Sequence, residues 1–117
     1  MNTEFTKKDI IGINQSFDTG NLRNEASLDF ALAQSKRSIS WTKSLAFLLR
    51  AILIDHAFEE GNKRTACALM IASVEMHDCI ITEKTAVDIT KRIILKNMTS
   101  IESIQRMIED GIAKQSA

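Results

Sequence analysis

The sequence predicts an all-α fold that forms a single domain over residues 1–117. The chain has 117 residues, which is the size of one compact domain and too short for two. Of these residues, 44% are hydrophobic and 26% are charged, so the chain can form a buried core and a solvated surface. It contains no proline and only four glycines, which disfavours a fold with many tight turns between strands. Apolar residues also recur at helical spacing along most of the chain.

About six helices are expected, separated by polar or glycine-containing turns. Thr42 and Thr82 are predicted N-caps, and Thr99–Glu102 reads as a capping box. The segment 35–41 lacks a helical period and alternates polar and apolar residues, which predicts a short exposed strand or loop. The predicted helices cover approximately 6–17, 25–34, 42–55, 62–76, 82–96 and 99 onward.

The third and fourth helices are expected to form a central, antiparallel pair. In the third helix, apolar residues follow one stripe from Leu45 to His56, and Phe47 and Ile54 make its other faces apolar as well. A helix that is apolar on all sides is normally surrounded by other elements. The fourth helix carries a similar apolar content, so the two helices should pack on each other.

Composition excludes several classes of function. Fifteen Lys and Arg balance fifteen Asp and Glu, so binding of nucleic acid through charge alone is not expected. No GxGxxG or P-loop pattern occurs. Cys67 and Cys79 are too few for a disulfide framework and indicate reduced thiols in a cytoplasmic protein. The most hydrophobic stretch, 44–58, is interrupted by Arg50 and Asp55, so no membrane association is expected.

The segment 56–66, between the two central helices, is open to two interpretations. In the simpler one His56 is a core histidine, and Gly61 and Asn62 provide the turn before the next helix. Lys63 and Arg64 do not fit that interpretation. They fall in the first turn of a helix, where the helix dipole makes each cation unfavourable by about 0.3–1 kcal/mol.

An anion bound at this turn removes the conflict. Free backbone N–H groups after Gly61, together with Lys63 and Arg64, would form a phosphate site. Glu60 would repel that phosphate unless a divalent cation such as Mg²⁺ lay between them. His56 is placed to accept a proton from an incoming hydroxyl. The residues therefore leave open both an ordinary solvated turn and a site for phosphoryl or nucleotidyl transfer.

The string from His56 to Arg64, HAFEEGNKR, resembles the signature of the Fic/Doc family, HxFx(D/E)GNxR. It also lies between the two central helices of an all-α domain, where that family places it. The resemblance covers about 25–108 and implies a Fic-like domain with a short flap or hairpin beside the site.

The resemblance implies a role for each matching residue. His56 would be the general base that deprotonates a Ser, Thr or Tyr hydroxyl of a target protein. Phe58 would anchor the loop in the core, and Glu60 would bind Mg²⁺ that bridges the phosphates of ATP. The nucleotide-binding residues would be Gly61, Asn62, Lys63 and Arg64.

Two departures from the pattern favour the Doc branch, the toxins of toxin–antitoxin pairs. Lys63 stands where family members that transfer AMP usually have glycine, and Cys67 stands where they have a second arginine. The resemblance therefore implies transfer of a phosphoryl group from ATP to a target protein, for which a translation factor is the family precedent. Transfer of AMP, and a catalytically inactive module that binds nucleotide or a partner, are the alternatives.

Two partner regions follow from the same resemblance. In the family a short hairpin near the active site pairs with an extended target segment, and Ser38, Ile39 and Ser40 are the predicted pairing residues. The inhibitory pattern (S/T)xxxE(G/N) is absent, because Glu60 is the only glutamate followed by glycine or asparagine. Inhibition is therefore expected from a separate antitoxin.

Overall fold

The computed structural model describes residues 5–114, so the ends of the predicted domain, 1–4 and 115–117, lie outside the described residues. The described chain is predominantly helical, which confirms the predicted all-α class. A two-residue antiparallel ladder pairs Cys79–Ile80 with Ala113–Lys114. The elements are α1 Lys7–Gln15, α2 Glu25–Ser35, α3 Trp41–Leu53, α4 Asn62–Met76, β1 Cys79–Ile80, α5 Glu83–Leu95, α6 Ile101–Gly111 and β2 Ala113–Lys114.

Side-chain caps start all but one of the helices within 5–114. Each cap oxygen accepts a hydrogen bond from the backbone N–H three residues further on, which satisfies one of the free donors of the first turn. The capping residues are Thr6, Asn24, Ser40, Thr82 and Ser100. The exception is α4, whose N-cap is Gly61 in the left-handed conformation, with φ 77°, and which has no side-chain cap.

Two helix starts differ from the prediction. The cap of α3 is Ser40 rather than Thr42, which lies within the helix with its hydroxyl 2.6 Å from the Glu109 carboxylate of α6. Hydrogen bonds from Thr42 and from the Gln105 amide hold the pKa of the Glu109 carboxyl below its ordinary value. The cap of α6 is Ser100 rather than Thr99.

The predicted flap is shorter than expected and is not a hairpin. Because α2 extends to Ser35 and α3 begins at Trp41, only 36–40 remain as a loop, and no strand forms there. The Ile39 N–H donates to the Arg37 carbonyl at 2.8 Å, a tight turn that leaves no extended pair of segments. The hairpin expectation is therefore wrong.

The core is centred on α3, as its apolar faces predict. This helix contacts α2, α4, α5 and α6, and its Leu45, Leu49 and Ile52 are fully buried. Helix α4 packs against α1, α3 and α5, with Leu69 and Met70 fully buried. The connection between these two helices is thus held at both ends by helices whose side chains form much of the buried core.

Cys67 and Cys79 are both free and half-buried. Among the described residues, no helix combines the length and the apolar character needed to cross a membrane.

Candidate active site

The connection from α3 to α4 forms one side of a cleft of about 600 Å³. The ends of α3 and α5 and the turn after α1 complete its walls, through Leu53, Ile54, Ile94, Asn97, Phe17 and Asp18. The structure brings the predicted catalytic, metal-binding and nucleotide-binding residues together in this cleft. They are His56, Glu60, Gly61, Asn62, Lys63 and Arg64.

His56 lies at an abrupt turn of the backbone just beyond α3. Its φ is 53°, in the left-handed region that few residues other than glycine adopt without cost. The turn returns Ala57 to the core, where its N–H donates to the Ala51 carbonyl at 3.1 Å, and leaves His56 exposed. The interpretation of His56 as a buried core histidine is therefore wrong. Backbone strain of this kind is characteristic of functional sites.

Phe58 is fully buried, and its backbone is fixed from the α1–α2 connection. It forms an isolated antiparallel bridge with Leu22. The Glu59 N–H donates to the Asn21 carbonyl at 3.0 Å, and the Arg23 N–H donates to the Ala57 carbonyl at 2.8 Å. The loop that carries the site is therefore held rigidly on both sides of its buried aromatic ring.

The Asn62 side chain closes the loop on itself. Its Oδ1 accepts from the Phe58 N–H at 3.1 Å, and its Nδ2 donates to the Phe58 carbonyl at 2.9 Å. Both polar ends of this amide are thus used within the loop. Asn62 can therefore donate to an anion through its backbone N–H, at the N-terminus of α4.

The first turn of α4 has the properties of an anion site. Intrahelical bonding begins with the Thr65 N–H, which donates to the Gly61 carbonyl at 2.9 Å, so the N–H groups before it lack partners within the helix. Lys63 and Arg64 are exposed beside them. The positive end of the helix dipole and two cations therefore act on the same side of the cleft.

Asn14, which the sequence analysis did not single out, positions this turn. It is 1% exposed, and its Nδ2 donates to the Glu60 carbonyl at 2.9 Å and to the Thr65 hydroxyl at 3.0 Å. Its Oδ1 accepts from the Gly20 N–H at 2.8 Å. A lone asparagine four residues after Ile10, on the buried face of α1, is the sequence signal that could have identified it.

Asp18 is a second residue that the sequence analysis missed. It lines the cleft, and its Oδ1 accepts from the Thr19 N–H at 2.9 Å. Glu60 and Asp18 are the two carboxylates of the cleft lining. Within 5–114, no three His, Cys, Asp or Glu side chains are grouped closely enough to hold a metal by themselves. This donor set suits Mg²⁺, which one or two carboxylates and phosphate oxygens commonly bind together.

The predicted target-binding residues Ser38, Ile39 and Ser40 are not part of the cleft. They precede α3, whereas His56 follows it, and a 13-residue helix is about 20 Å long. Ile39 lines a separate cavity of about 130 Å³ beside Trp41. The Ser40 hydroxyl is used as the cap of α3. Helix α3 therefore separates these residues from the cleft, and their role in binding a target stays a prediction.

Gly61 is expected to tolerate no side chain. A Cβ there would lie 3.0 Å from the Asn14 Nδ2 and 3.3 Å from the Asp18 Cβ, in a left-handed conformation. We expect Gly61→Ala to lower the free energy of unfolding by about 1–2 kcal/mol and to weaken binding of ATP·Mg²⁺. Urea denaturation and calorimetric titration measure the two effects.

Gly12→Ala is the matched control for Gly61→Ala. Gly12 lies in α1, and a Cβ there would meet nothing within 4 Å. Since alanine favours the helix more than glycine does, this variant should be more stable by roughly 0.5–1 kcal/mol and should bind nucleotide normally. Equal behaviour of the two variants would contradict a special role for Gly61.

Comparisons of the chain with protein-family models, with curated proteins and with solved structures each found no match. A proposal about function therefore rests on the residues of this chain. These are the string from His56 to Arg64, which resembles the Fic/Doc signature, and the cleft that His56 and Glu60–Arg64 line.

Proposed function

We propose that this chain is a Doc-like transferase that moves the γ-phosphoryl group of ATP to a hydroxyl side chain of a target protein. The observation that carries the proposal is the uncapped first turn of α4, which opens into the cleft beside His56. The other helices of the described chain use a side-chain oxygen at this position. An external phosphate would satisfy the same donors in α4.

The arrangement of charge supports a polyphosphate ligand. Lys63 and Arg64 would offset the charge of the phosphates, and Gly61 allows the ligand to approach the backbone closely. Glu60 and Asp18, which line the same cleft, would hold Mg²⁺, which supplies charge neutralisation on the phosphates when it is bound. Without such a cation the two carboxylates would oppose an anion in the same cleft.

His56 would act as general base. As the target's hydroxyl oxygen forms a bond with the γ-phosphorus, its proton passes to the His56 imidazole. The bond between that phosphorus and the β–γ bridging oxygen breaks, and ADP leaves with the electron pair. The imidazolium then returns its proton to water. Because His56 is exposed, a hydroxyl on another protein can reach it.

The position of Cys67 supports phosphoryl transfer over AMP transfer. The family's AMP-transferring members use a second arginine there, whereas the Cys67 Sγ lies 3.2 Å from the Thr90 hydroxyl and carries no positive charge. The proposed partners are a target protein with a Ser, Thr or Tyr hydroxyl, with a translation factor as the first one to test, and a separate antitoxin.

Labelled ATP tests the proposal directly. Purified protein is incubated with Mg²⁺, a cell lysate and ATP that carries the label on either the γ- or the α-phosphate. We expect protein-bound label from γ-labelled ATP alone. Label from the α-phosphate would show AMP transfer instead, and label from neither, with ATP still bound, would indicate an inactive nucleotide-binding module.

A further inference from the structure

We propose that Asn24, at the start of α2, is the residue that positions His56, an inference that rests on the proposed function. His56 has φ 53°, a conformation that histidine adopts only where neighbouring contacts impose it. Asn24 is half-buried and lies 31 positions before Asp55 in the chain. It contacts the residues on both sides of His56, which are Asp55 and Ala57.

The two peptide groups that flank His56 are each held by a hydrogen bond. The Asn24 Nδ2 donates to the Asp55 carbonyl at 3.2 Å. The Ala57 N–H donates to the Ala51 carbonyl of α3 at 3.1 Å. Because a peptide group is planar, these two bonds together restrict both backbone dihedrals of His56. Only the bond from Asn24 uses a side chain, so it is the one that a substitution can remove.

The first turn of α2 makes further contacts with the same turn. The Asn24 N–H donates to the Ala57 carbonyl at 3.1 Å. The Ser27 hydroxyl, three residues later, donates to the Asp55 carboxylate. The start of α2 therefore holds the chain both before and after His56.

Asn24 also caps α2, and the two roles use different atoms. Its Oδ1 accepts from the Ser27 N–H at 3.1 Å, whereas its Nδ2 is the group that donates to the Asp55 carbonyl. Serine is as good an N-cap as asparagine but has no amide NH₂ group. Asn24→Ser should therefore keep the cap and lose the bond to Asp55.

The position of His56 depends on its backbone, because its side chain is exposed rather than packed in the core. A general base must lie within about 3 Å of the hydroxyl oxygen, so a small shift of the turn costs much of the rate. The phosphate-binding turn is held separately, by Asn14 of α1. Loss of the Asn24 amide should therefore slow transfer and leave nucleotide binding unchanged.

Transfer from γ-labelled ATP and calorimetric binding distinguish this role from a structural one. In Asn24→Ser we expect the transfer rate at saturating ATP to fall about tenfold or more. Its affinity for ATP·Mg²⁺ and its thermal midpoint of unfolding should stay those of the parent chain. If serine destabilises the chain, Asn24→Asp gives the same test, because it also keeps a cap oxygen and lacks the NH₂ group.

Ser100→Ala is the matched control for the cap. Ser100 caps α6 and does not line the cleft. This variant should lose a few degrees of thermal stability and keep the parent rate of transfer.

Amide hydrogen exchange tests the positioning without any transfer. Asn24→Ser should speed exchange of the Ala57 N–H by about tenfold, because the turn that directs it to the Ala51 carbonyl is no longer held from α2. Exchange of the Thr65 N–H should not change, since Thr65 lies in α4 and is contacted by Asn14.

The outcomes separate this inference from the proposed function. A parent rate of transfer in Asn24→Ser, or unchanged exchange of the Ala57 N–H, would overturn the positioning role while the transferase proposal stands. Equal losses of transfer, nucleotide affinity and stability would show a structural role and would also overturn it. Faster Ala57 exchange with no transfer by the parent chain would overturn the transferase proposal and establish only that Asn24 holds the turn. Slower transfer with faster Ala57 exchange and parent affinity would establish the inference.

Discussion

Replacing His56 with glycine is expected to abolish phosphoryl transfer and, at the same time, to make the protein more stable. Loss of a general base costs about 10²–10⁴-fold in rate. Glycine adopts φ 53° with less strain than histidine, so the free energy of unfolding should rise by roughly 0.5–1 kcal/mol, net of glycine's larger entropy in the unfolded chain. Transfer from γ-labelled ATP and urea denaturation measure the two changes.

Two further variants make this prediction specific. His56→Ala should lose the same activity without the gain in stability, because alanine keeps the strained backbone. His77→Ala is the matched control at the other histidine, which caps the end of α4 and stacks on Trp41 with ring centroids 4.3 Å apart. It should lose stability and keep its activity. Transfer that survives in His56→Gly would show that His56 is not the base.

The helices could be predicted from the sequence because their signals are local. The fourth helix was expected over 62–76 and is observed at Asn62–Met76. The central position of α3 follows from apolar residues on all its faces, since only burial accommodates such a helix. Periodicity within one segment is sufficient for both conclusions.

Contacts between distant segments could not be predicted in this way. Ser40 and Thr42 are both residue types that cap helices well. Ser40 is the N-cap of α3, whereas the Thr42 hydroxyl donates to the Glu109 carboxylate, 67 positions away. The pairing of β1 with β2 likewise joins residues that are far apart in the chain and carry no strand pattern. The loop 36–40 is separated from the cleft by α3, which acts as a rigid spacer. The composition of the loop does not reveal this separation.

The candidate site likewise contains some residues that local sequence signals identify and others that only contacts between distant segments bring there. Lys63 and Arg64 were identifiable because two cations conflict with an ordinary helix start, and His56 and Glu60 stand close to them in the sequence. Asn14 and Asp18 reach the site from another helix and another turn. Which residue of α1 meets the Glu60 carbonyl is a matter of tertiary packing, so these two needed the structure.

Replacing Asn14 with alanine is expected to lower both the stability of the protein and its affinity for ATP·Mg²⁺. It leaves the Glu60 carbonyl, the Thr65 hydroxyl and the Gly20 N–H without their partner in a buried site. Unmade buried hydrogen bonds of this kind should lower the free energy of unfolding by roughly 2–3 kcal/mol. Because the Glu60 carbonyl precedes Gly61, the phosphate-binding turn should also shift, and ATP·Mg²⁺ binding should weaken.

Thr65→Val distinguishes positioning from stability in this network. It removes one of the three partners but leaves the Asn14 Nδ2 bonded to the Glu60 carbonyl, so it should cost about 1 kcal/mol and keep nucleotide affinity. Affinity is measured by calorimetry well below the unfolding temperature of each variant. If Asn14→Ala binds ATP·Mg²⁺ as tightly as Thr65→Val does, Asn14 stabilises the fold without positioning the site. If only Asn14→Ala loses affinity, the anion site depends on a hydrogen bond from a helix 46 positions earlier in the chain.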